Sequence, residues 1–329
     1  MRIASFAAFH DALCRLVWWN GGMSAVLLTS TSGPLTDDAA SGVLELVAAM
    51  TQELGTAPLS EQPLFNLRDP RARVVHFMDT HGGVVTGYGQ LDVTPETGGS
   101  FEVTARGEHR AHRIHRFLEE AELVAADHEV GVRPWLHGDD PDARAAFTRA
   151  GYSPARTLAV LQRPLDTPID AHIPDGMVIR EFNPPHDVTA WLATNAQAFS
   201  WHPEQGDITL HDLNHRMAQP WFDASLFFLL CPADDPYAIH GFVWLKAEPG
   251  ASDIELYVIG VHPESQGRGY GSFLSAYAVD HATRLGYTSM TLYVEGDNAA
   301  AMTVYQRLGF SPVEHHVNFA KIRPEREQG

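Results

Sequence analysis

The amino-acid sequence predicts an α/β protein of mixed α+β sheets, built as two tandem copies of one domain. Three observations predict it. The chain has 329 residues, more than one core of about 100 to 200 residues sustains. In the more clearly patterned second half, runs of strand period alternate with runs of helix period, the mixture of an α/β layer. The two halves also carry the same landmarks in the same order. Gly87-Tyr88-Gly89 answers to Gly241-Phe242, a helical run over 113–126 answers to 272–285, and Phe147 to Tyr152 answers to Tyr305 to Phe310. A near-constant offset of this length implies duplicated domains and not a solenoid.

Each element has a local reason. In the second half, 177–180 forms a short strand, 188–199 places apolar residues at helical spacing, and 226–230 and 241–246 are buried strands. Residues 254–261 alternate, with Glu255, Tyr257 and Ile259 on one face and Leu256 and Val258 on the other. A helix starting near Gly271 directs Leu274, Tyr277, Ala278, His281 and Leu285 to a core and stops at Gly286. Residues 290–294 form a strand, Asn298 caps a last helix, and Gly309 ends it. Turn residues without helical period over 167–176 mark a linker. The expected organisation is a disordered extension over 1–22, with Met23 as an alternative start, a first domain over 23–165, a linker over 166–176 and a second domain over 177–329.

Composition excludes several functions. Hydrophobic residues at 44% against 19% charged support packed cores, and a net charge of -18 argues against nucleic acid and anionic membrane as partners. With Cys14 and Cys231 alone, neither a disulfide framework nor a thiolate zinc site is expected, which fits a cytoplasmic location. No run of eighteen apolar residues occurs. The histidines, His315-His316 included, lack the H-E-x-x-H spacing, so no metal is expected.

Gln266-Gly267-Arg268-Gly269-Tyr270-Gly271 lies between a strand and a helix start. Three glycines let successive N–H groups converge, the helix end adds partial positive charge, and Arg268 adds a cation, so the loop can cradle a pyrophosphate. A tight turn requiring positive φ explains these six residues equally well. The G-x-G-x-G spacing is not that of a dinucleotide-binding βαβ unit.

Together, Val258-Ile259-Gly260-Val261-His262-Pro263, Gln266-x-x-Gly269-x-Gly271 and Asn298-x-x-Ala301-x-x-x-Tyr305-x-x-x-Gly309-Phe310 resemble the GNAT acetyltransferase superfamily. Further segments are similar to a tandem-GNAT family that acetylates the cysteinyl amine of cysteinyl-glucosaminyl-inositol, a thiol-bearing pseudodisaccharide, in the last step of mycothiol biosynthesis. They are residues 199–206, Trp221-Phe222-Asp223, Trp244-Leu245-Lys246, 255–261 and 292–298.

That resemblance implies two GNAT-like domains and acetyl-CoA as co-substrate. Ile259, Gly260 and Val261 would meet the thioester and pantetheine. Gln266, Gly267, Arg268, Gly269, Tyr270, Gly271 and Ser272 would hold the pyrophosphate, and Asn298, Ala299, Ala300, Ala301, Met302 and Thr303 would complete the site. It implies Glu61, Glu204, Lys246, Glu255 and Tyr293 as acceptor contacts, Glu255 as general base and Tyr305 as general acid. Acyl transfer to an ammonium needs such a base, an oxyanion donor and an acid toward the leaving thiolate. For Glu204 and Lys246 a surface ion pair is the competing reading.

The first half departs from the pattern. Aligned by order, Arg110-Ala111-His112-Arg113-Ile114-His115 stands where the second half has its glycine loop, and Phe147 stands at the Tyr305 position. The expectation is a non-catalytic first domain that shapes the substrate pocket, its own acetyl-CoA binding left open, in a monomeric protein. A GNAT acting on another amine, such as an aminoglycoside or peptide N-terminus, and a non-catalytic acetyl-CoA sensor are the alternatives.

Overall fold

The computed structural model describes residues 27–95, 98–184, 186–200 and 206–321. The expected extension over 1–22, and Glu204, lie outside them. The chain divides into two units, Met1–Thr157 with His315–Gly329, and Leu158–Glu314.

The first unit contains β1 (Leu27–Ser32), α1 (Asp37–Leu54), α2 (Glu61–Asn66), β2 (Val74–His81), β3 (Val84–Asp92), β4 (Ser100–Ala105), α3 (Arg110–Asp127), β5 (Arg133–Leu136) and α4 (Pro141–Arg149). Strand β6 (Tyr152–Pro164) leaves it. The second unit continues with β7 (Met177–Glu181), α5 (Val188–Ala198), α6 (Leu210–Met217), β8 (Phe227–Pro232), β9 (Gly241–Lys246), β10 (Asp253–Val261), α7 (Tyr270–Arg284), β11 (Ser289–Glu295) and α8 (Ala299–Arg307), before β12 (Ser311–Lys321).

Both units share one topology. In the first, β1 to β4 pair antiparallel in sequence order and β4 meets β5 in parallel. In the second, β7 to β10 do the same and β10 meets β11 in parallel. The edge strands are exchanged along the chain. Strand β5 pairs antiparallel with β12, through Leu136 opposite Val317, while β11 pairs with β6 along Ser289↔Pro164 to Glu295↔Leu158. Division by chain order at 165/166 therefore differs from the division in space, because the last strand of each half belongs to the other's sheet. Residues 165–176 carry neither helix nor strand.

Each sheet is covered on both faces, which is why its strands alternate between two apolar sets. In the second unit Phe228, Leu230, Val243, Leu245, Ile254 and Leu256 pack with Leu274 and Ala278 of α7. From the opposite face Phe227, Phe242 and Trp244 surround Trp191 of α5 at centroid distances of 5.4, 5.5 and 6.0 Å. In the first unit Phe77, Phe101 and Val103 pack with Ile114 and Phe117 of α3, and Val85 and Tyr88 with Leu46 and Met50 of α1.

Strand β12 is tied into the first unit by polar groups as well. His316 Nδ1 is 2.8 Å from His137 Nδ1, and His137 Nε2 is 2.9 Å from Glu102. Glu102 also accepts from the Ser60 N–H and hydroxyl, each at 2.6 Å. Burial alone would raise the Glu102 carboxyl, but His137 and the Ser60 donors outweigh it and hold it below its ordinary value.

Candidate active site

Strand β10 organises the second unit's site. It pairs with β11 only over Asp253↔Ser289 to Leu256↔Leu292, although both strands run on. Its ladder with β9 slips between Leu256 and Val258, so Tyr257 is the extra residue of a β-bulge. Among the described residues, β10 beyond Leu256 is bonded as a ladder on its β9 side alone, so over Val258 to Val261 its other edge has no ladder partner. The three cofactor residues expected on this strand, Ile259, Gly260 and Val261, lie along that edge. Gly260 must lack a side chain, since a Cβ there would stand 2.6 Å from the Phe242 ring.

The strand runs into the glycine loop. Gly267 and Gly269 take φ of 76° and 81°, and Gly269 is the N-cap of α7. The first turn closes with Phe273 N–H on the Gly269 carbonyl, so the N–H groups of Tyr270, Gly271 and Ser272 have no acceptor within the helix. Gln266, Gly267, Arg268 and Gly269 are exposed, and a Cβ at either positive-φ glycine would meet nothing within 4 Å. The loop is thus both readings at once: a turn requiring positive φ, and an open set of amides at a helix N-terminus with the Arg268 guanidinium beside it. Tyr270 differs from the expectation in one respect. Its side chain is in the core, so only its backbone is available to a ligand.

The last helix is placed as its sequence dictates. Asn298 caps α8 by accepting from the Ala301 N–H at 3.1 Å. Ala299, Ala300 and Thr303 are exposed, while Ala301 and Met302 pack partly on the core. Tyr305 is 6% exposed, 5.8 Å from the Phe310 ring, and burial pushes its hydroxyl up to about 12.

Glu255 is half-buried on β10, directly opposite Lys246 on β9 and Thr291 on β11. Tyr293, two residues further along β11, is 45% exposed. The Lys246 ammonium lies 4.9 Å from the Trp221 ring centre and 3.8 Å from Glu248. Glu61 opens α2 in the first unit. Sequence reasoning passed over Arg216, whose Nε donates to the Tyr257 hydroxyl at 3.0 Å. A signal was present, because Thr209 and Asp212 form a capping box that starts α6.

The first unit repeats the junction in altered form, and the alignment by order was displaced. The positions matching Gly267 and Gly269 are Gly107 and His109, with φ of 89° and 59°, and His109 is the N-cap of α3. One glycine is therefore kept, and a histidine takes the second left-handed position. The arginines that follow face inward. Arg110 donates to Asp140 at 2.5 Å and to Asp142 at 3.1 Å, and Arg113 to Asp79 at 2.5 Å and to the Arg106 carbonyl. Phe147 is fully buried against Phe319.

Among the described residues no group of three or more His, Cys, Asp or Glu could hold a metal, and no helix is long and apolar enough to cross a membrane. Residues 189–310 match the acetyltransferase (GNAT) family model. A mycothiol acetyltransferase of Jonesia denitrificans is 54% identical, across 91% of this chain and 96% of that one. Another from Salinispora arenicola is 40% identical across 85% and 92%. Among solved structures, a tandem GNAT protein from the clavulanic acid biosynthesis pathway is similar in fold, with a TM-score of 0.69 at 16% identity over 91% of this chain and all of that one. The chain belongs to the mycothiol acetyltransferase family of tandem-GNAT enzymes.

Proposed function

We propose that this acetyl-CoA-dependent acetyltransferase acetylates the cysteinyl amine of cysteinyl-glucosaminyl-inositol, the last step of mycothiol biosynthesis, as a cytoplasmic monomer. Family membership sets the reaction class and removes the non-catalytic sensor. The observation that carries the site assignment is the open edge of β10 running into the amide nest of Gly267 and Gly269. An extended pantetheine arm bonds to Ile259, Gly260 and Val261 as a missing strand would, and the pyrophosphate meets residues 266–272 at the helix end. Residues 298–303 flank the arm from α8.

Transfer joins the amine nitrogen to the acetyl carbon and breaks the carbon–sulfur bond. Glu255 takes the ammonium proton, directly or through water, and a backbone N–H near Ile259 donates to the oxyanion. Tyr305, with its hydroxyl pushed up to about 12, stays protonated at neutral pH. The nitrogen gives up its second proton to water as the intermediate collapses, and Tyr305 acts as the general acid toward the leaving sulfur, regaining its proton from solvent. Lys246 and Tyr293 contact the acceptor.

The test has two arms. Acetyl transfer is measured to cysteinyl-glucosaminyl-inositol, glucosaminyl-inositol, aminoglycosides and peptides. The first should be preferred in kcat/KM, and preference for any other overturns the acceptor assignment. Glu255→Gln should lose about 100-fold or more and its acidic limb; retention of both places the base elsewhere.

A further inference from the structure

Only two of the 23 basic residues are lysines, Lys246 and Lys321. A lysine offers a compact, movable charge where arginine offers a rigid fork, so its surroundings decide where that charge sits. Lys246 and Glu255 are direct cross-strand partners. Such partners hold their Cβ atoms about 4.5 to 5.5 Å apart on one face, which places an ammonium and the base carboxylate on the same side of the sheet.

The ammonium is held by aromatic faces. Besides Trp221, it lies 5.5 Å from the centre of the Tyr257 ring, and the lysine side chain is 15% exposed. Shielding from water strengthens attraction to a ring face. Tyr257 is itself fixed from three directions. Its ring meets Trp244 at 5.2 Å and Trp221 at 5.3 Å, and its hydroxyl accepts from Arg216 of α6. Trp221 and Trp244 are buried. Tyr257 is the extra residue of the β10 bulge.

We infer that Trp221 and Tyr257, with Arg216 anchoring the Tyr257 hydroxyl, are positioning residues that fix the Lys246 ammonium across from Glu255, and that this fixed charge keeps Glu255 ionised toward acid. The inference rests on the assignment of Glu255 as base. Other titratable groups carried by its own strand and by the elements beside it, among the described residues, are Asp253 of β10, Glu248 after β9, Tyr293 and Glu295 of β11, and His211, His215 and Arg216 of α6, whose Arg216 bonds Tyr257. An ammonium held on the same face as a carboxylate favours the ionised form of that carboxylate. Tyr257 and Trp221 do not touch the reacting atoms and act through Lys246.

The experiment is the pH profile of kcat/KM on the cysteinyl acceptor, with folding checked by circular dichroism. Tyr257→Leu should move the acidic limb up by about one pH unit, and Lys246→Met by about as much. The double variant should move it no further than Lys246→Met alone. Tyr257→Phe keeps the ring and should move it by less than half as much. Should Tyr257→Leu fail to fold, Trp221→Phe should shift the limb in the same direction by a smaller amount. A Glu255→Gln enzyme that keeps its limb removes the base assignment and the inference with it. A Glu255→Gln enzyme that loses its limb, beside a Tyr257→Leu enzyme whose limb has not moved or adds to Lys246→Met, removes the inference alone.

Discussion

The junctions at Gly267–Tyr270 and Gly107–Arg110 have the same backbone and opposite uses of charge. Both place two left-handed residues, two apart, ahead of a long helix. In the second unit the loop is exposed and Arg268 reaches no further than the Glu264 carbonyl at 3.4 Å. In the first, Arg110 and Arg113 are committed to internal carboxylates. By the same matching Glu108 stands where the second unit has Arg268, so a duplicated turn keeps its shape while the charge in its loop is reversed and the arginines of the helix that follows are committed to the fold. Backbone geometry alone does not make an anion site.

The comparison is broken most severely through Arg113. Its partner Asp79 is 4% exposed in the side chain, and Arg113→Glu would set two carboxylates together with no cation. Unfolding of the first unit should become easier by about 3 to 5 kcal/mol, while kcat of the folded fraction stays unchanged. A fall in kcat without loss of stability would show that the first junction serves the reaction.

Acid should separate the two units next. Burial pushes His76 down to about 4, well below the ordinary value near 6.5. The unfolded chain then binds the extra proton between those values. The first unit has its full stability above pH 6.5 and loses about 3 kcal/mol as pH falls to about 4. Urea unfolding across that window should flatten in His76→Asn, and equal steepness in the variant would rule the histidine out.

Tyr305 and Phe147 sharpen the comparison at the helix that follows. Tyr305→Phe should lose about 10-fold to 100-fold in kcat. Phe147→Tyr should gain no activity and cost about 1 to 3 kcal/mol, because it buries a hydroxyl where Phe147 is fully enclosed. A smaller effect is expected at His109, a histidine in a left-handed conformation. His109→Gly should stabilise the first unit by up to about 1 kcal/mol, measured as a raised Tm.

Much of the second unit was legible because its signals are local. The alternation of Ile254, Leu256 and Val258, the Asn298 cap and the positive φ at Gly286 and Gly309 each depend on neighbours in sequence. The strand exchange was not legible. Strands β6 and β12 end equivalent halves with similar patterns, and nothing within either run names the strand it will pair with. The first loop was misaligned because His109 stands where glycine is the residue expected, and the turn survives without its usual marker. The contacts of Trp221, Tyr257 and Lys246 arise from the bulge in β10 and from three separate elements, so no motif announces them.

The most direct test pairs the two junctions in one assay of acetyl transfer. Gly269→Glu and His109→Glu each put a carboxylate at a left-handed N-cap, of α7 and α3 respectively, with Gly269→Ala as the control for backbone strain. Gly269→Glu should raise KM for acetyl-CoA about 100-fold beyond Gly269→Ala, because the carboxylate repels the pyrophosphate from the nest. His109→Glu should leave kcat/KM within about threefold of wild type, since no phosphate of the reacting acetyl-CoA is held there. Equal losses at the two positions, or an unchanged KM in Gly269→Glu, would contradict the assignment of catalysis to the second unit.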